Sequence, residues 1–292
     1  EIIREKGGLR DNTSTAPKGM SGVLIAPMPL LPIYKGIAGA SLLAEILLQK
    51  YEYHMPYYRQ IKQYSHLGMK GLTESTMDGW FKQTMELLKP LYEVLKSEVM
   101  KADYVQADET TTPVINKDTH KAAKEYLWMV RAVIERLVLF HYDQGSRAGA
   151  VIEALANRYN FKGYLQCDGF AGYETAFKTN PDVLLVNCMV HIRRHLEQAL
   201  DENRQMAEHG LNEIQHLYKI EHMCDDANLS FEERKAKRQE LSRPIMEAMR
   251  LWMETEGVKY SESSQIGKAI TYAYTRWDNM MRYLEDGRLL LD

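Results

Sequence analysis

Cysteine is scarce in this sequence: Cys167, Cys188 and Cys224 are the only three among 292 residues, and no CxxC pair occurs. An odd number without metal-type spacing argues against a disulfide framework and for a reducing compartment, so the cytoplasm is the expected location. A basic surplus is also lacking. The formal net charge of −3 speaks against wrapping nucleic acid by bulk electrostatics. An acidic metal site would soften that objection, because its bound cations neutralise charge that the count records as negative. Long apolar runs are missing too: the longest, Val23 to Tyr34, is broken by Pro27, Pro29 and Pro32, so no membrane-spanning helix is expected. The opening segment from Glu1 has neither the charged start nor the apolar run of a secretory signal, and reads as a piece of a longer cytosolic protein.

What is present has soluble composition, 45% hydrophobic and 26% charged, over a length sufficient for one large domain or two ordinary ones. Residues 1–35, rich in Gly, Pro and polar side chains and without a sustained period, read as an extended linker or arm. Residues 36–101 turn helical, with one apolar stripe at Leu42, Leu43, Ile46 and Leu47 and another at Met77, Trp80, Phe81, Leu88, Leu91 and Leu95. Within them YRQIKQYSHLG, MKGL and TESTMDGWFKQT outline a helix-turn-helix whose second helix is capped by Thr73. Arg59, Lys62, Ser75 and Thr76 are its candidates for phosphate contact. The competing reading of this element is helix packing alone, because plain bundles use the same geometry.

From Ala102 the period changes to two. YVQADETTTPV, EYLWMVRAVI and LVLFHYD read as a three-stranded meander with a tight joint at Glu135–Arg136. A helix capped by Ser146 follows, with Ala148, Val151, Ile152, Leu155 and Tyr159 on one face. Then GYLQC and DVLLVNC read as buried strands separated by a helix over Ala171 to Lys178. The resulting order, βββαβαβ, predicts an α/β fold: a ribonuclease-H-like mixed five-stranded sheet over residues 102–200. Residues 201–292 are predicted as a large helical insertion and the start of a further catalytic segment. A capping box at Ser230 and Glu233 opens its charged stretch FEERKAKRQELSR, which reads as a solvated helix face.

Two aspartates stand where chemistry is done. Asp108 lies inside the first strand, against β propensity, and Asp168 follows GYLQC directly, at a carboxyl end of the kind open α/β sheets use for functional groups. If the strands take the ribonuclease-H order, the two carboxylates are neighbours. They would then repel unless bridged by cations, and hard Mg²⁺ (or Mn²⁺), as a pair of ions, is the expected resolution. A turn or capping role is the alternative for each aspartate. In NCMVHIRRH, Cys188 and His191 share a helix face and could form half of a zinc site, but no second pair stands at matching spacing. The favoured reading is a buried Cys188 and a hydrogen-bonded His191 that anchor the helix start, with Arg193 and Arg194 gripping phosphate.

These blocks resemble the transposases of the insertion sequence sixty-six family, TnpC type, a branch of the DDE transposases. APMPLLPIYKGIAGASLLAEILLQKYEYHMPYYRQ is similar to the family's entry segment, QADET and QCDGFAGY to its first two catalytic blocks, and NCMVHIRRH to its C-x-x-H-x-R-R block. YLEDGRLLLD is similar to the run that leads into its third acidic block. The resemblance implies Asp108 and Asp168 as the first two metal ligands. It implies a third, a Glu in an N-N-x-x-E-R block, beyond Asp292, so the chain is expected to be inactive or nearly so as it stands. Glu285 and Asp286 precede that position and read as solvated or turn residues. The family's upstream zinc-binding module and coiled segment are not visible. Double-stranded DNA at transposon ends and target, a homo-oligomer on that DNA and helper proteins of the same element are the implied partners, with no membrane and a bacterial, nucleoid-associated location. Two further readings compete: a non-catalytic DNA-binding or assembly relic of a mobile element, and a ribonuclease-H-like nuclease unrelated to transposition.

Overall fold

The computed structural model describes residues 6–8, 23–25, 30–33, 36–116, 118–143 and 149–292. The chain packs as two compact units, residues 1–92 and 93–292.

In the first unit, β1 (Lys6–Gly8) and β2 (Val23–Ile25) pair antiparallel. The region read as an extended arm therefore holds a short ladder, invisible in sequence because three-residue strands show no period. Most of that arm, like the Ser146 cap, lies outside the described residues. Helices α1 (Ala40–Tyr51), α2 (Tyr57–His66) and the start of α3 (Glu74–Lys101) follow. They close over Ile33, Ala38, Leu43, Ile46, Tyr64, Met77 and Trp80. Gln60 is buried in this core, and its amide donates to the carbonyl of Met55 at 2.9 Å and of Ile46 at 3.4 Å, tying α2 to α1. Thr73 caps α3 as expected, its Oγ1 accepting from the Thr76 N–H at 3.1 Å.

The second unit is built on a five-stranded sheet in the order β5-β4-β3-β6-β7. β3 (Tyr104–Ile115), β4 (Ala122–Ala132) and β5 (Leu137–Asp143) form the antiparallel meander; β6 (Gly163–Cys167) and β7 (Val183–Asn187) run parallel to β3. Helices α4 (Ala150–Arg158) and α5 (Ala171–Phe177) belong to the parallel crossovers. The expected mixed α/β sheet is present, with its strands in the expected sequence order. At the start of β6, Gly163 has φ +127°, and a Cβ there would lie 2.1 Å from the Asp103 carbonyl. The bare backbone allows the Tyr164 N–H to reach that carbonyl at 2.8 Å, which starts the β3–β6 pairing.

Helices α6 (Met189–Gln198), α7 (Arg204–Asp226), α8 (Phe231–Lys237), α9 (Arg243–Glu256), α10 (Gln265–Tyr274) and α11 (Trp277–Met281) complete the unit. Their shared core includes Met189, Ile192, Leu196, Ile214, Leu217, Met249, Ala269 and Trp277. The capping box at Ser230 and Glu233 forms as expected.

One correction falls on the charged stretch after it. Arg238, in the π-helical turn Arg238–Ser242 between α8 and α9, is fully buried rather than solvated. Its guanidinium donates to both carboxylate oxygens of Glu221 at 2.8 and 2.7 Å. It also reaches the carbonyls of Tyr283 at 3.0 Å, Asp286 at 2.9 Å and Leu289 at 2.8 Å. A buried cation of this size is tolerated because every arm of the fork has an acceptor. Arg238 thus fixes the turn from which residues 288–292 run back onto the sheet, where Leu289 is buried with Tyr104 and Val186. Within that turn Asp286 accepts from the Arg288 N–H at 2.9 Å and pairs with its guanidinium at 2.7 Å, the turn role expected of it, while Glu285 is exposed.

Candidate functional site

The parallel pairing of β3 and β6 sets Tyr104 opposite Tyr164, Val105 opposite Leu165 and Gln106 opposite Gln166. Side chains two apart along a strand share a face. Asp108, within β3, and Asp168, the first residue after β6, each stand two residues beyond the last of these pairs, which sets them at matching offsets near the carboxyl end of β6. Both line one cleft of about 510 Å³, together with Gln106, Glu109, Gln166, Cys188, His191, Arg194 and Asp292.

The backbone around each aspartate is held from several sides. Asp108 Oδ1 accepts from the Glu109 N–H at 3.0 Å, and Asp168 Oδ1 from the Phe170 N–H at 2.9 Å. The Asp168 carbonyl accepts from the Asn187 amide at 3.0 Å. The next residue, Gly169, is gripped by the helical region: its N–H donates to the Tyr272 hydroxyl at 3.0 Å, and its carbonyl accepts from Arg276 Nε at 3.1 Å. A Cβ on Gly169 would lie 1.8 Å from that Nε, so only glycine admits the clamp.

Below the aspartates lies a polar ladder. Gln106 Nε2 donates to Gln166 Oε1 at 2.9 Å, the Tyr104 hydroxyl donates to the same oxygen, and Gln166 Nε2 donates to the Leu290 carbonyl at 2.9 Å. The Leu290 N–H returns to the Tyr104 hydroxyl at 3.0 Å, and the Gln106 amide reaches the Asp292 carbonyl. The last residues of the chain are thereby laid across β3 and β6 at the edge of the cleft. Burial pushes the Tyr104 phenol up to about 12, which keeps its proton available to Gln166.

The cleft is electronegative, and its weak acids register this. Burial pushes the Cys188 thiol up to about 11, with the carboxylates of Asp292 and Asp108 adding to the shift. Burial holds Cys167 well above its ordinary range, reinforced by Asp168 and Glu109. Tyr173, also raised chiefly by burial, donates its hydroxyl proton to Glu109 at 2.9 Å.

The sequence of residues 35–292 matches the family described as Transposase IS66. This chain belongs to the IS66 transposase family. It is 29% identical to the uncharacterized protein y4qI of Sinorhizobium fredii over 290 residues, covering 94% of this chain and 52% of that protein. The proteins y4hP and y4jD of the same organism are 26% and 28% identical, over 100% and 93% of this chain and 54% and 55% of theirs. The chain thus spans about half the length of the curated relatives it matches.

Of the residues singled out in the sequence, Asp108, Asp168, Cys188, His191 and Arg194 come together in this IS66-family cleft. Arg193 does not: it pairs with Glu197 at 3.0 Å and lines an adjoining cavity. Arg59, Lys62 and Ser75 are exposed in the first unit, and the Thr76 hydroxyl is engaged with that of Thr73 at 2.9 Å. Cys188, half-buried, immediately precedes α6, and the hydrogen bond expected of His191 is not made by its ring Nδ1, which is buried without a partner among the described residues. Among the described residues no group of three or more His, Cys, Asp or Glu side chains is placed to hold a metal ion. The donor set present, two carboxylates at matching offsets in an acidic cleft, suits part of the shell of a hard divalent cation; a zinc site would need further soft ligands.

Sequence reasoning missed Tyr104, Gln106, Gln166, Tyr272 and Arg276. A signal existed for the glutamines. Each aspartate is preceded by glutamine at the same offset, Q-A-D at 106–108 and Q-C-D at 166–168, which is what parallel strands in register produce. No local signal marks Tyr272 or Arg276, which reach Gly169 from more than a hundred residues away in the chain.

Proposed function

We propose that this chain carries the two-aspartate part of the active site of a DNA transposase, built on a ribonuclease-H-like core. The reaction is phosphodiester hydrolysis at transposon ends followed by strand transfer into target DNA, and both substrates are double-stranded. The observation that carries this reading is the matched placement of Asp108 and Asp168, each two residues beyond the Gln106–Gln166 pair and both on one cleft. In a family of transposases, two carboxylates so placed are the natural ligands of Mg²⁺ or Mn²⁺.

Asp108 and Asp168 would hold the cation, and the N–H bonds from Glu109 and Phe170 orient their carboxylates. When bound, a pair of such ions activates the attacking water or hydroxyl oxygen and stabilises the leaving oxygen. Arg194, on the cleft wall and in no ion pair among the described residues, is suited to bind the scissile phosphate. Two aspartates are too few to hold two ions. The third acidic ligand is assigned to the chain that would follow Asp292, in keeping with the way residues 288–292 are laid along β3 and β6 toward the cleft.

The test has two parts. Mn²⁺ binding to this chain, followed by electron paramagnetic resonance, should weaken in Asp108→Asn and in Asp168→Asn. In a full-length protein containing the downstream acidic block, each substitution should abolish cleavage of a duplex carrying the transposon end. Retained cleavage in either variant sinks the assignment.

A further inference from the structure

The cleft does not end at the aspartates. A second cavity of about 500 Å³ adjoins it, and Asp292 lines both. Its walls are α6 and α7, and the adjacent residues Arg194 and Arg193 on α6 line the first and the second cavity respectively. On α7 it is lined by Asn212, Gln215, Lys219 and His222, all four exposed. Their spacing of three, four and three residues places them in one strip along the helix.

That strip is chemically uniform. Each side chain can donate a hydrogen bond, and no carboxylate stands in the strip between Asn212 and His222. In a chain with 40 acidic residues against 37 basic ones this is a local departure from the average. Glu208 and Asp226 fall on the same line one turn beyond each end, so the strip is bounded. At the α-helical rise its ten-residue span measures about 15 Å, roughly four nucleotides of one DNA strand. The two carboxylates within the cavity are already engaged: Glu197 pairs with Arg193, and Asp292 accepts from the Tyr218 hydroxyl. Lys219, like Arg194, takes part in no ion pair among the described residues, so its charge is available to a ligand.

We infer that the α6–α7 groove binds the phosphodiester backbone of the DNA strand that leaves the aspartate cleft, with Arg194 and Lys219 as its cationic contacts and Asn212, Gln215 and His222 as neutral donors. Such contacts position a strand and carry no base specificity. The inference rests on the transposase reading for the identity of the ligand, and on the continuity of the two cavities for its path.

The experiment measures binding of a fluorescein-labelled DNA duplex with a single-stranded tail to the chain by fluorescence anisotropy across a salt series. The variants are Lys219→Glu, Gln215→Glu and their combination, with Lys235→Glu on α8 as a charge-matched control outside both cavities. These positions are exposed, so folding is not at risk, and circular dichroism checks it. The expected result is a several-fold loss of affinity in each groove variant, independent of DNA sequence. In Lys219→Glu the slope of log affinity against log salt should fall by about one, and the control should bind as the parent chain does. Parent-like affinity and slope in the double variant overturn the groove. An equal loss in Lys235→Glu overturns it as well, because binding would then follow net charge alone. Failure of the transposase reading shows elsewhere, as retained cleavage in Asp108→Asn, and leaves this binding measurement intact.

Discussion

Gln106 and Gln166 face one another across the parallel pairing of β3 and β6, and the Gln106 amide donates to the Gln166 carbonyl oxygen at 2.9 Å. This bond locks the register on which the matching offsets of Asp108 and Asp168 depend. It also belongs to the ladder that receives Leu290 and Asp292. Replacing Gln166 with Leu should leave the Leu290 carbonyl without its partner, at a cost of about 1–3 kcal/mol. Hydrogen exchange in residues 288–292 should accelerate more than exchange in β4. Uniform acceleration across the sheet would instead mean that the ladder serves general stability alone.

The clamp on Gly169 makes a second prediction. Gly169→Ala should displace Arg276, because the new Cβ would lie 1.8 Å from its Nε. The cost is about 1–3 kcal/mol, typical of overpacking. Arg276→Ala alone should also destabilise, by removing the bond to the Gly169 carbonyl. Since both changes act on one contact, the double variant should be less destabilised than the sum of the singles, and additive unfolding energies would refute the coupling.

Fully buried Arg238 and partly buried Glu221 form a pair whose members are costly to separate. Arg238→Met should lower stability by about 3–5 kcal/mol, because three backbone carbonyls lose their donor and Glu221 is left with Arg234 alone. Combining it with Glu221→Leu should restore little of that loss, since Glu221 keeps Arg234 at 2.9 Å in the single variant and its removal also takes a partner from Arg234. Chemical denaturation of the four proteins checks both statements.

The thiol of Cys188 supplies a pH test. Its value in the folded chain is raised from 9.0 to about 11, so the unfolded state loses the proton first as pH rises. The resulting contribution is fully present below pH 9.0 and is lost between there and about 11. Alkylation of Cys188 in the folded chain should accordingly remain slow at pH 9.0 and rise toward pH 11. Because Asp292 and Asp108 add to the shift, Asp292→Asn should move the reactivity profile to lower pH. An unmoved profile would place the cause in burial alone.

Alternation and turn chemistry made the meander legible, and short apolar runs bounded by helical patterns did the same for β6 and β7. The capping box at Ser230 and the Thr73 cap were equally open to reading, since each satisfies backbone donors within three residues of itself. Arg238 was misread for the opposite reason. Nothing near it in sequence announces that its acceptors lie at Glu221 and at residues 283–289.

The amino-acid sequence by itself determined the strands of the five-stranded sheet, the caps at Thr73 and Ser230, the family and the two aspartates that merit attention, because each of those rests on local periodicity or on short motifs. Which residues share a cleft was decided only by tertiary structure. The parallel register carries Asp108 to Asp168, a folded-back tail brings Asp292 beside them, and helical residues remote in sequence hold Gly169. Hydrogen bonds and burial act between atoms close in space, and a linear chain records that closeness only where, as in the repeated Q-x-D, two strands happen to write the same register twice.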